Sequence, residues 1–288
     1  MNLVDLAQHF SDDDKAREFL EKQRWPDGPE CPHCGLVGES YRLKDTGKGK
    51  THVRKGVWKC SSCRKEFTVT VGTIFEDSHI PLHKWLLAYH LLCASKKGMS
   101  AHQLHRMLGI TYKSAWFMAH RIRYTMSQEP LSSKLTGIIE MDEIYIGGKF
   151  HAGGTITKLG ERPKDRLSPV ANKAAVVSVL QRGGRVQSRH VERVTVKNLK
   201  PIIEGMVAED AHVMTDTGTV LRGLGKLRKH SKVNHSAGEY SRRENGITIT
   251  TNAVEGYFAT LKRGINGVYH HVGKNHLHRY LSEFDFPV

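Results

Sequence analysis

Three carboxylates in this chain occur where a folded sheet and a helix could bring them together. Asp142 lies inside a strand-like run that is otherwise rich in apolar residues, where a buried carboxylate is costly unless it is paired, protonated or bound to a metal. Asp216 follows the apolar run HVMT, and Glu255 lies on a predicted helix. Carboxylates from separate elements can hold two divalent cations that promote an in-line phosphodiester displacement, and magnesium suits such hard oxygen ligands.

The spacing alone does not single out these three acids. Strand pleating puts Glu140 and Asp142 on the same face and Glu143 on the opposite one, so the period does not choose between Glu140 and Asp142. The acids that compete with the helix carboxylate are Glu239 and Glu244.

Four of the five cysteines form two CxxC pairs separated by 25 residues. CPHC contains Cys31 and Cys34, and CSSC contains Cys60 and Cys63, whereas Cys93 stands alone in an apolar helical stretch. Two such pairs can offer four thiolates to one tetrahedral zinc ion, which predicts a zinc ribbon. Disulfides are the alternative, and a reducing intracellular setting disfavours them.

A helical region follows the ribbon. Apolar spacing predicts one helix from Pro81 onward, a second after Ser100 and a third over 111–126, with a turn at Gly109 between the last two. This order resembles a helix-turn-helix, and the alternative is a plain helical hairpin with a solvated face. The residues available for DNA are Tyr112, Lys113, Ser114, Phe117, His120, Arg121 and Arg123.

Beyond Pro130 the hydrophobic period changes to that of strands. We predict strands at 137–146, 174–180, 186–194 and 211–215, and helices at 196–208 and 250–263. This order describes a mixed α/β domain that is compatible with a ribonuclease-H-like fold without being unique to it. The segments 45–56 and 147–173 are rich in glycine and basic residues and are predicted to be loops.

The composition points to a nucleic-acid partner. The chain has 288 residues, and 44 Lys+Arg against 29 Asp+Glu give a formal net charge of +15 and a pI near 9.6. No apolar run is long enough to span a bilayer, and the acidic, amphipathic N-terminus does not have the pattern of a signal peptide. We therefore expect a cytoplasmic protein.

Several motifs resemble those of one transposase group. IIEMDEIYIGGK, VMTD, VNHSAGEYSRRE and TTNAVEGYFATLKRGINGVYHHVGKNHLHRYLSEFDF are similar to the catalytic half of the ISXO-like, Merlin-related bacterial insertion-sequence transposases. CPHCG and KCSSCRKEFTVTVGTIFEDSHIPLHKW resemble the N-terminal ribbon of the same group. The resemblance covers nearly the whole chain. It implies a DDE transposase on a ribonuclease-H-like fold that cuts and rejoins double-stranded DNA with two magnesium ions.

The resemblance also assigns residues. It places the three catalytic, metal-binding acids on Asp142, Asp216 and Glu255, with Asn252 beside the third and His235 near the scissile phosphate or the metal water. A histidine packed against the sheet is an equally good interpretation of His235. The basic residues suited to DNA are Lys113, Arg121, Arg123, Lys262 and Arg263, with His270 and His271 as further phosphate contacts or as part of a solvated basic face.

Together these interpretations divide the chain into four parts. They are a short N-terminal helical segment (1–28), a zinc ribbon (29–72), a helix-turn-helix-like module (79–128) and a catalytic domain (134–288). The predicted function is that of a transposase: a homo-oligomer binds the terminal inverted repeats, cleaves the DNA strands there and transfers the strand ends to target DNA.

The sequence departs from the group's pattern in two places. TDTGTVLRGLG stands where the group has an aromatic-rich helix start, and the chain ends at EFDFPV where we expect an arginine-rich tail. The alternative function is therefore a catalytically inactive transposase or a zinc-ribbon DNA-binding regulator.

Overall fold

The computed structural model describes residues 3–44, 55–128, 133–147, 173–218 and 228–286, and it shows an α/β protein. The chain forms two compact units, Met1–Ala94 with Ala101–Ile122, and Ser95–Ser100 with Arg123–Val288. Within the described ranges, no helix is both long enough and apolar enough to cross a membrane.

The first unit combines helices with a small antiparallel sheet. Its elements are α1 (Leu3–His9), α2 (Asp13–Arg24), β1 (Ser40–Arg42), β2 (Trp58–Cys60), β3 (Glu66–Phe67), α3 (Leu82–Cys93), α4 (Ala101–Leu108) and most of α5 (Tyr112–Thr125). The N-terminal segment, predicted as one short helix, contains two. The Asp12 side chain begins the second by accepting a 2.9 Å hydrogen bond from the Lys15 N–H, which is a standard N-cap.

The second unit contains a mixed five-stranded sheet. Its elements are β4 (Ile138–Ile146), β5 (Ala174–Gln181), β6 (Val186–Val191), α6 (Val196–Met206), β7 (His212–Asp216), β8 (Lys229–Val233), β9 (Ser241–Glu244), β10 (Ile247–Thr250), α7 (Asn252–Gly264) and α8 (Lys274–Asp285). The strand order is β6-β5-β4-β7-β8. Pairing is antiparallel from β6 to β4 and parallel from β4 to β8, so β4 lies at the centre.

Helices cover both faces of this sheet. Ile139 and Met141 of β4 pack on one face with α6, whereas Ile144 and Ile146 pack on the other with α7 and α8. Strand β5 is buried along almost its whole length, as its continuous apolar run AAVVSVL requires. The face of β4 that carries Asp142 is therefore the face beneath α7.

The structure contains elements that the sequence interpretation missed. They are β8, the β9–β10 hairpin and α8. The hairpin packs on the sheet edge, where Ile249 joins a small cluster with Met214 and Val233. Most of the two predicted basic loops, 45–56 and 147–173, and most of the segment TDTGTVLRGLG lie outside the described residues.

A part-buried polar network ties α7 and α8 to the sheet. The Asp285 carboxylate accepts hydrogen bonds from Tyr257 Oη (2.6 Å), Ser188 N–H (2.7 Å) and Ser188 Oγ (2.7 Å). Ser188 Oγ also lies 2.7 Å from Ser178 Oγ on the neighbouring strand. Despite these donors, burial raises the pKa of Asp285 to about 6.

This pKa predicts a pH dependence of stability. The folded state raises the pKa of Asp285 above its ordinary value. Asp285 therefore contributes fully to folding stability below about pH 4, and this contribution is lost as the pH rises through 6. Asp285→Asn lacks this titration. Its stability relative to wild type, measured by thermal melts from pH 4 to 7.5, should therefore improve as the pH rises. A difference that is constant across this range would contradict the assignment.

Candidate functional site

The four cysteines of the two CxxC pairs converge in the first unit. Cys31 Sγ lies 3.6 Å from Cys63 Sγ, and Cys34 Sγ lies 3.6 Å from Cys60 Sγ. All four sulfur atoms lie within 4.8 Å of one another, and all four cysteines are free thiols. Zinc–thiolate bonds of about 2.3 Å in a tetrahedron separate the sulfurs by about 3.8 Å, so the cluster is positioned to bind a zinc ion.

Zinc content gives a direct prediction for this cluster. We expect one zinc per wild-type chain and loss of that zinc, with unfolding of the ribbon, in Cys60→Ser, because closed four-cysteine sites contribute folding free energy. Cys93→Ser is the matched control, since Cys93 lies on α3 and outside the cluster. Metal analysis and circular dichroism measure both outcomes. Full zinc retention in Cys60→Ser would contradict the site.

The strand register brings the first two predicted acids together. In the parallel pairing of β4 and β7, Glu140 lies opposite Met214. Continuing that register by two residues sets Asp142 level with Asp216 at the end of β7. Both side chains are partly buried on the sheet face beneath α7, and Glu255 lies in the first turn of that helix.

The other carboxylates contribute to the electrostatic environment of Asp142. Burial, reinforced by the negative charges of Glu143, Glu255 and Asp216, raises the pKa of Asp142 to about 6, although the Glu143 N–H donates to Asp142 Oδ1 at 2.8 Å. Burial and the charge of Asp216 also raise the pKa of Glu143. Like charges held together in a partly buried site are stabilised by a cation, and their donors are the hard oxygens that magnesium prefers.

The carboxylates are less tightly gathered than the thiolates. Among the described residues, the four cysteines have donor atoms that all lie within 4.8 Å of one another. The oxygens of the three acids do not meet this spacing. The donor types of Asp142, Asp216 and Glu255 fit magnesium, and their elements bring them to one face of the sheet.

Glu140, which competes with Asp142 in the sequence, is fully engaged in structural contacts. Its carboxylate is 0% exposed. Oε1 accepts from Arg182 Nε (3.0 Å) and Nη2 (2.7 Å), and Oε2 accepts from the backbone N–H groups of Ala253 (2.8 Å) and Val254 (3.2 Å). Those two N–H groups begin α7 and have no partner within the helix. Glu140 therefore anchors the helix that carries Glu255, and Asp142 is left as the strand acid that faces the site.

His235 lies beside the third acid. Its Nε2 is 3.6 Å from Glu255 Oε1 and 3.3 Å from Thr251 Oγ1, and Thr251 Oγ1 also donates to Glu255 Oε1 at 3.0 Å. Its ring is tilted against that of Tyr240, with centroids 5.4 Å apart. The preceding residue, Asn234, accepts a hydrogen bond from Thr217 Oγ1 through its Oδ1, at 3.5 Å. Thr217 Oγ1 also contacts Asp216. Short loops therefore bring His235 to the same end of the sheet as the acids.

The remaining predicted residues of α7 lie on its exposed surface. Asn252 is the first residue of the helix, three residues before Glu255. Lys262 and Arg263 form its basic last turn, and both are exposed. Lys262 follows Glu255 by two helical turns, so the two side chains lie on the same face of α7. His270 and His271, beyond the helix, are also exposed.

Helices α4 and α5 follow one another through a three-residue connection, the order that a helix-turn-helix predicts. Gly109, with φ +58°, forms the turn, and Thr111 Oγ1 caps α5 by accepting from the Ser114 N–H at 3.2 Å. The buried side chains of the two helices are Leu104, Leu108, Ala115, Met118, Ala119 and Ile122. Lys113 is exposed, whereas Arg121 is partly buried and donates to the Glu76 carbonyl at 2.9 Å.

The structure corrects one predicted DNA contact. Arg123 is 2% exposed, and its Nε donates to Glu283 Oε2 at 2.8 Å inside the second unit. Its guanidinium also stacks over the rings of Tyr280 (4.2 Å) and Tyr269 (5.4 Å). A basic helix position predicted an exposed residue, but the acid that pairs with it lies 160 residues away, and the sequence contains no local signal of that pairing.

The two units define a class of protein that joins a zinc-ribbon-like cysteine cluster to an α/β unit with carboxylates gathered at its sheet. Two family models match the chain in the same arrangement: a transposase zinc-ribbon domain over residues 11–66 and an ISXO2-like transposase domain over residues 134–287. The chain belongs to the ISXO2-like transposase family.

A curated relative agrees with this assignment. The chain is 24% identical over 289 residues to an uncharacterized protein in transposable element ISH50 of Halobacterium salinarum, covering 96% of this chain and 90% of that protein. Residues 67–133, which include α4 and α5, lie outside both matched family domains.

Proposed function

We propose that this protein is an active transposase that binds the terminal inverted repeats of its element and performs two-metal DNA strand cleavage and strand transfer. The observation that carries the proposal is the gathering of Asp142, Asp216 and Glu255 at one sheet face, with the pKa of Asp142 raised to about 6. The strand order and the central position of β4 support a ribonuclease-H-like fold.

The acids would hold two magnesium ions. Bound there, magnesium activates the attacking oxygen and stabilises the leaving oxygen of an in-line displacement. Asp142 and Asp216 contribute fixed positions because strands carry them, whereas Glu255 depends on α7, which Glu140 and Arg182 hold in place. His235, through its contacts with Glu255 and Thr251, orients the Glu255 carboxylate.

The reaction needs no covalent protein nucleophile. In the first step a water oxygen forms a bond to phosphorus and the bond to the 3′ oxygen breaks, leaving a 5′ phosphate and a protonated 3′-hydroxyl. In the second step that 3′ oxygen attacks a target phosphodiester, so one phosphodiester bond forms as one breaks. Lys262 and Arg263 contact the phosphate backbone on the exposed side of α7. Both element ends must be held together, which favours a homo-oligomer on DNA.

The N-terminal parts would recognise the element ends. The zinc ribbon and the α4–α5 pair supply a basic surface, and Lys113 and Arg121 of α5 are its proposed DNA contacts. Arg123 is not among them because its guanidinium is buried.

A labelled duplex with the element's terminal repeat tests the proposal. We expect nicking at the repeat boundary in magnesium, none in chelator, and none with Glu255→Gln, which should still bind the repeat. Cleavage without repeat preference would indicate a general nuclease. Repeat binding without cleavage under any divalent metal would support the alternative, a catalytically inactive relative or a zinc-ribbon regulator.

A further inference from the structure

The outer surface of α5 carries three aromatic side chains within its first six residues. Their exposed fractions are 42% for Tyr112, 36% for Trp116 and 49% for Phe117. The opposite side of the helix is fully buried at Ala115, Met118 and other core positions. Aromatic rings bury large areas when they find a partner, so a run of them facing solvent on a helix marks a contact surface.

These rings are held in place by their neighbours. The Tyr112 ring stacks on His102 with centroids 4.3 Å apart, and Trp116 packs edge-on against His120 at 4.2 Å. The Arg121 guanidinium lies 5.1 Å from the Phe117 ring centroid, while its Nη1 donates to a backbone carbonyl. Fixed rings lose little conformational entropy on binding, which makes this surface suited to recognition.

The charge of the segment that carries these rings indicates what they contact. From residue 78 to residue 128 the sequence contains seven lysines and arginines and no aspartate or glutamate, and the acids that precede this stretch are Glu76 and Asp77. A polyanion complements such a surface. A second copy of the chain does not, because a two-fold interface through this surface would place the same basic side chains against each other.

The position of the rings within the pair also matters. In a helix-turn-helix the N-terminal residues of the second helix reach the base edges of the major groove. Tyr112, Trp116 and Phe117 occupy that part of α5 (Tyr112–Thr125), beside the exposed Lys113. Phenylalanine reads a base in this groove through apolar contact with the thymine 5-methyl group.

We propose that the aromatic surface of α5, with Phe117 as its principal residue, reads thymine methyl groups in the major groove of the element's terminal repeat. Lys113 contacts the adjacent phosphate. This inference rests on the proposed function, since it assumes that the protein binds its repeat. It assigns sequence readout to apolar contacts in a segment that no matched family domain covers.

Thymine-to-uracil substitution tests this proposal because it removes only the methyl group and keeps every hydrogen-bonding group of the base. We expect wild-type affinity for the fully uracil-substituted repeat to fall about fourfold for each methyl group that the rings bury. Phe117→Ala should bind the natural repeat more weakly and should distinguish the two duplexes less than wild type does. Gel-shift titrations at fixed salt measure all four affinities, and they form a double-mutant cycle.

Two variants serve as controls. Tyr124→Ala removes an exposed aromatic ring from the last turn of α5 and should keep the full uracil effect. Lys113→Ala should weaken binding to both duplexes equally and reduce the salt dependence. Thermal melts of each variant confirm folding, since all three altered side chains are exposed.

The outcomes separate this inference from the proposed function. If wild type does not bind the repeat, the proposed function fails. If it binds but tolerates uracil without loss, the methyl readout alone is overturned. If Phe117→Ala changes the oligomeric state measured by light scattering without DNA and keeps the uracil effect, the surface is an interface between copies and the proposal is wrong.

Discussion

Asp142→Asn should abolish repeat cleavage, by at least about 1,000-fold, and should at the same time make the metal-free protein more stable. The carboxylate is partly buried, and the charges of Glu143, Glu255 and Asp216 add to the effect of burial, so its ionisation opposes folding. Replacing it with a neutral amide removes that cost but also removes an oxygen donor. Loss of activity combined with a gain in stability is the signature of a functional residue.

The sign of this effect depends on pH. Because the pKa of Asp142 is raised to about 6, the variant should melt about 2–4 °C above wild type at pH 7.5 in chelator, and the difference should vanish near pH 4. Asp210→Asn, an exposed acid just before β7, is the matched control and should change neither cleavage nor melting. A variant of Asp142 that cleaves normally would contradict the assignment.

Glu140→Ala should have the opposite effect on stability. Removing this carboxylate takes away the anionic partner of Arg182 and the acceptor of the Ala253 and Val254 N–H groups, and we expect the free energy of unfolding to fall by about 3–5 kcal/mol. Urea unfolding followed by circular dichroism measures this loss. Glu140→Gln keeps one acceptor oxygen and should lose less.

The double variant of Glu140→Ala and Arg182→Ala sharpens the test. Removing both partners leaves no unpaired buried charge, so the double variant should be less destabilised than the sum of the two single variants. Strict additivity would show that Glu140 and Arg182 are not energetically coupled, which would contradict their ion pair. Two acids, two residues apart on one strand face, should therefore respond in opposite directions.

The sheet and most of the helices were predictable because their hydrophobic periods are clear. The run AAVVSVL has the continuous apolar character of a strand buried on both faces, and β5 spans it. Strand β8, KHSKV, was missed because its composition is polar and the rest of the sheet determines its pairing. The β9–β10 hairpin had a readable signal in the Asn-Gly pair at 245–246, which is typical of a two-residue hairpin turn. Both residues have the positive φ that such a turn requires.

Helix α8 also had a readable signal. Leu277 and Leu281 are four residues apart and both are buried, which is the pattern of a helix with one apolar face. The acids that follow, Glu283 and Asp285, lie in the EFDF segment that ends the described chain. Both are engaged in ion-pair or hydrogen-bond networks that no local pattern reveals, because their partners lie far away in the sequence.

The candidate site was predictable only as a set of alternatives. Pleating correctly put Glu140 and Asp142 on one face, but their separate roles depend on Arg182 and on the start of α7, both distant in the chain. Arg182 lies in the turn QRGGR, where an arginine is ordinary. Burial of Arg123 was likewise unpredictable, because a basic residue on an amphipathic helix is usually exposed.

Asp142, Asp216 and Glu255 are proposed to hold the cations of the cleavage reaction, and the positions of bound metal ions can be measured. Crystals grown with the terminal-repeat duplex and manganese would give anomalous scattering at the manganese edge. We expect two manganese peaks about 3.5–4 Å apart in contact with these three carboxylates. A map in which manganese binds elsewhere and leaves the three acids without a metal would contradict the proposed site.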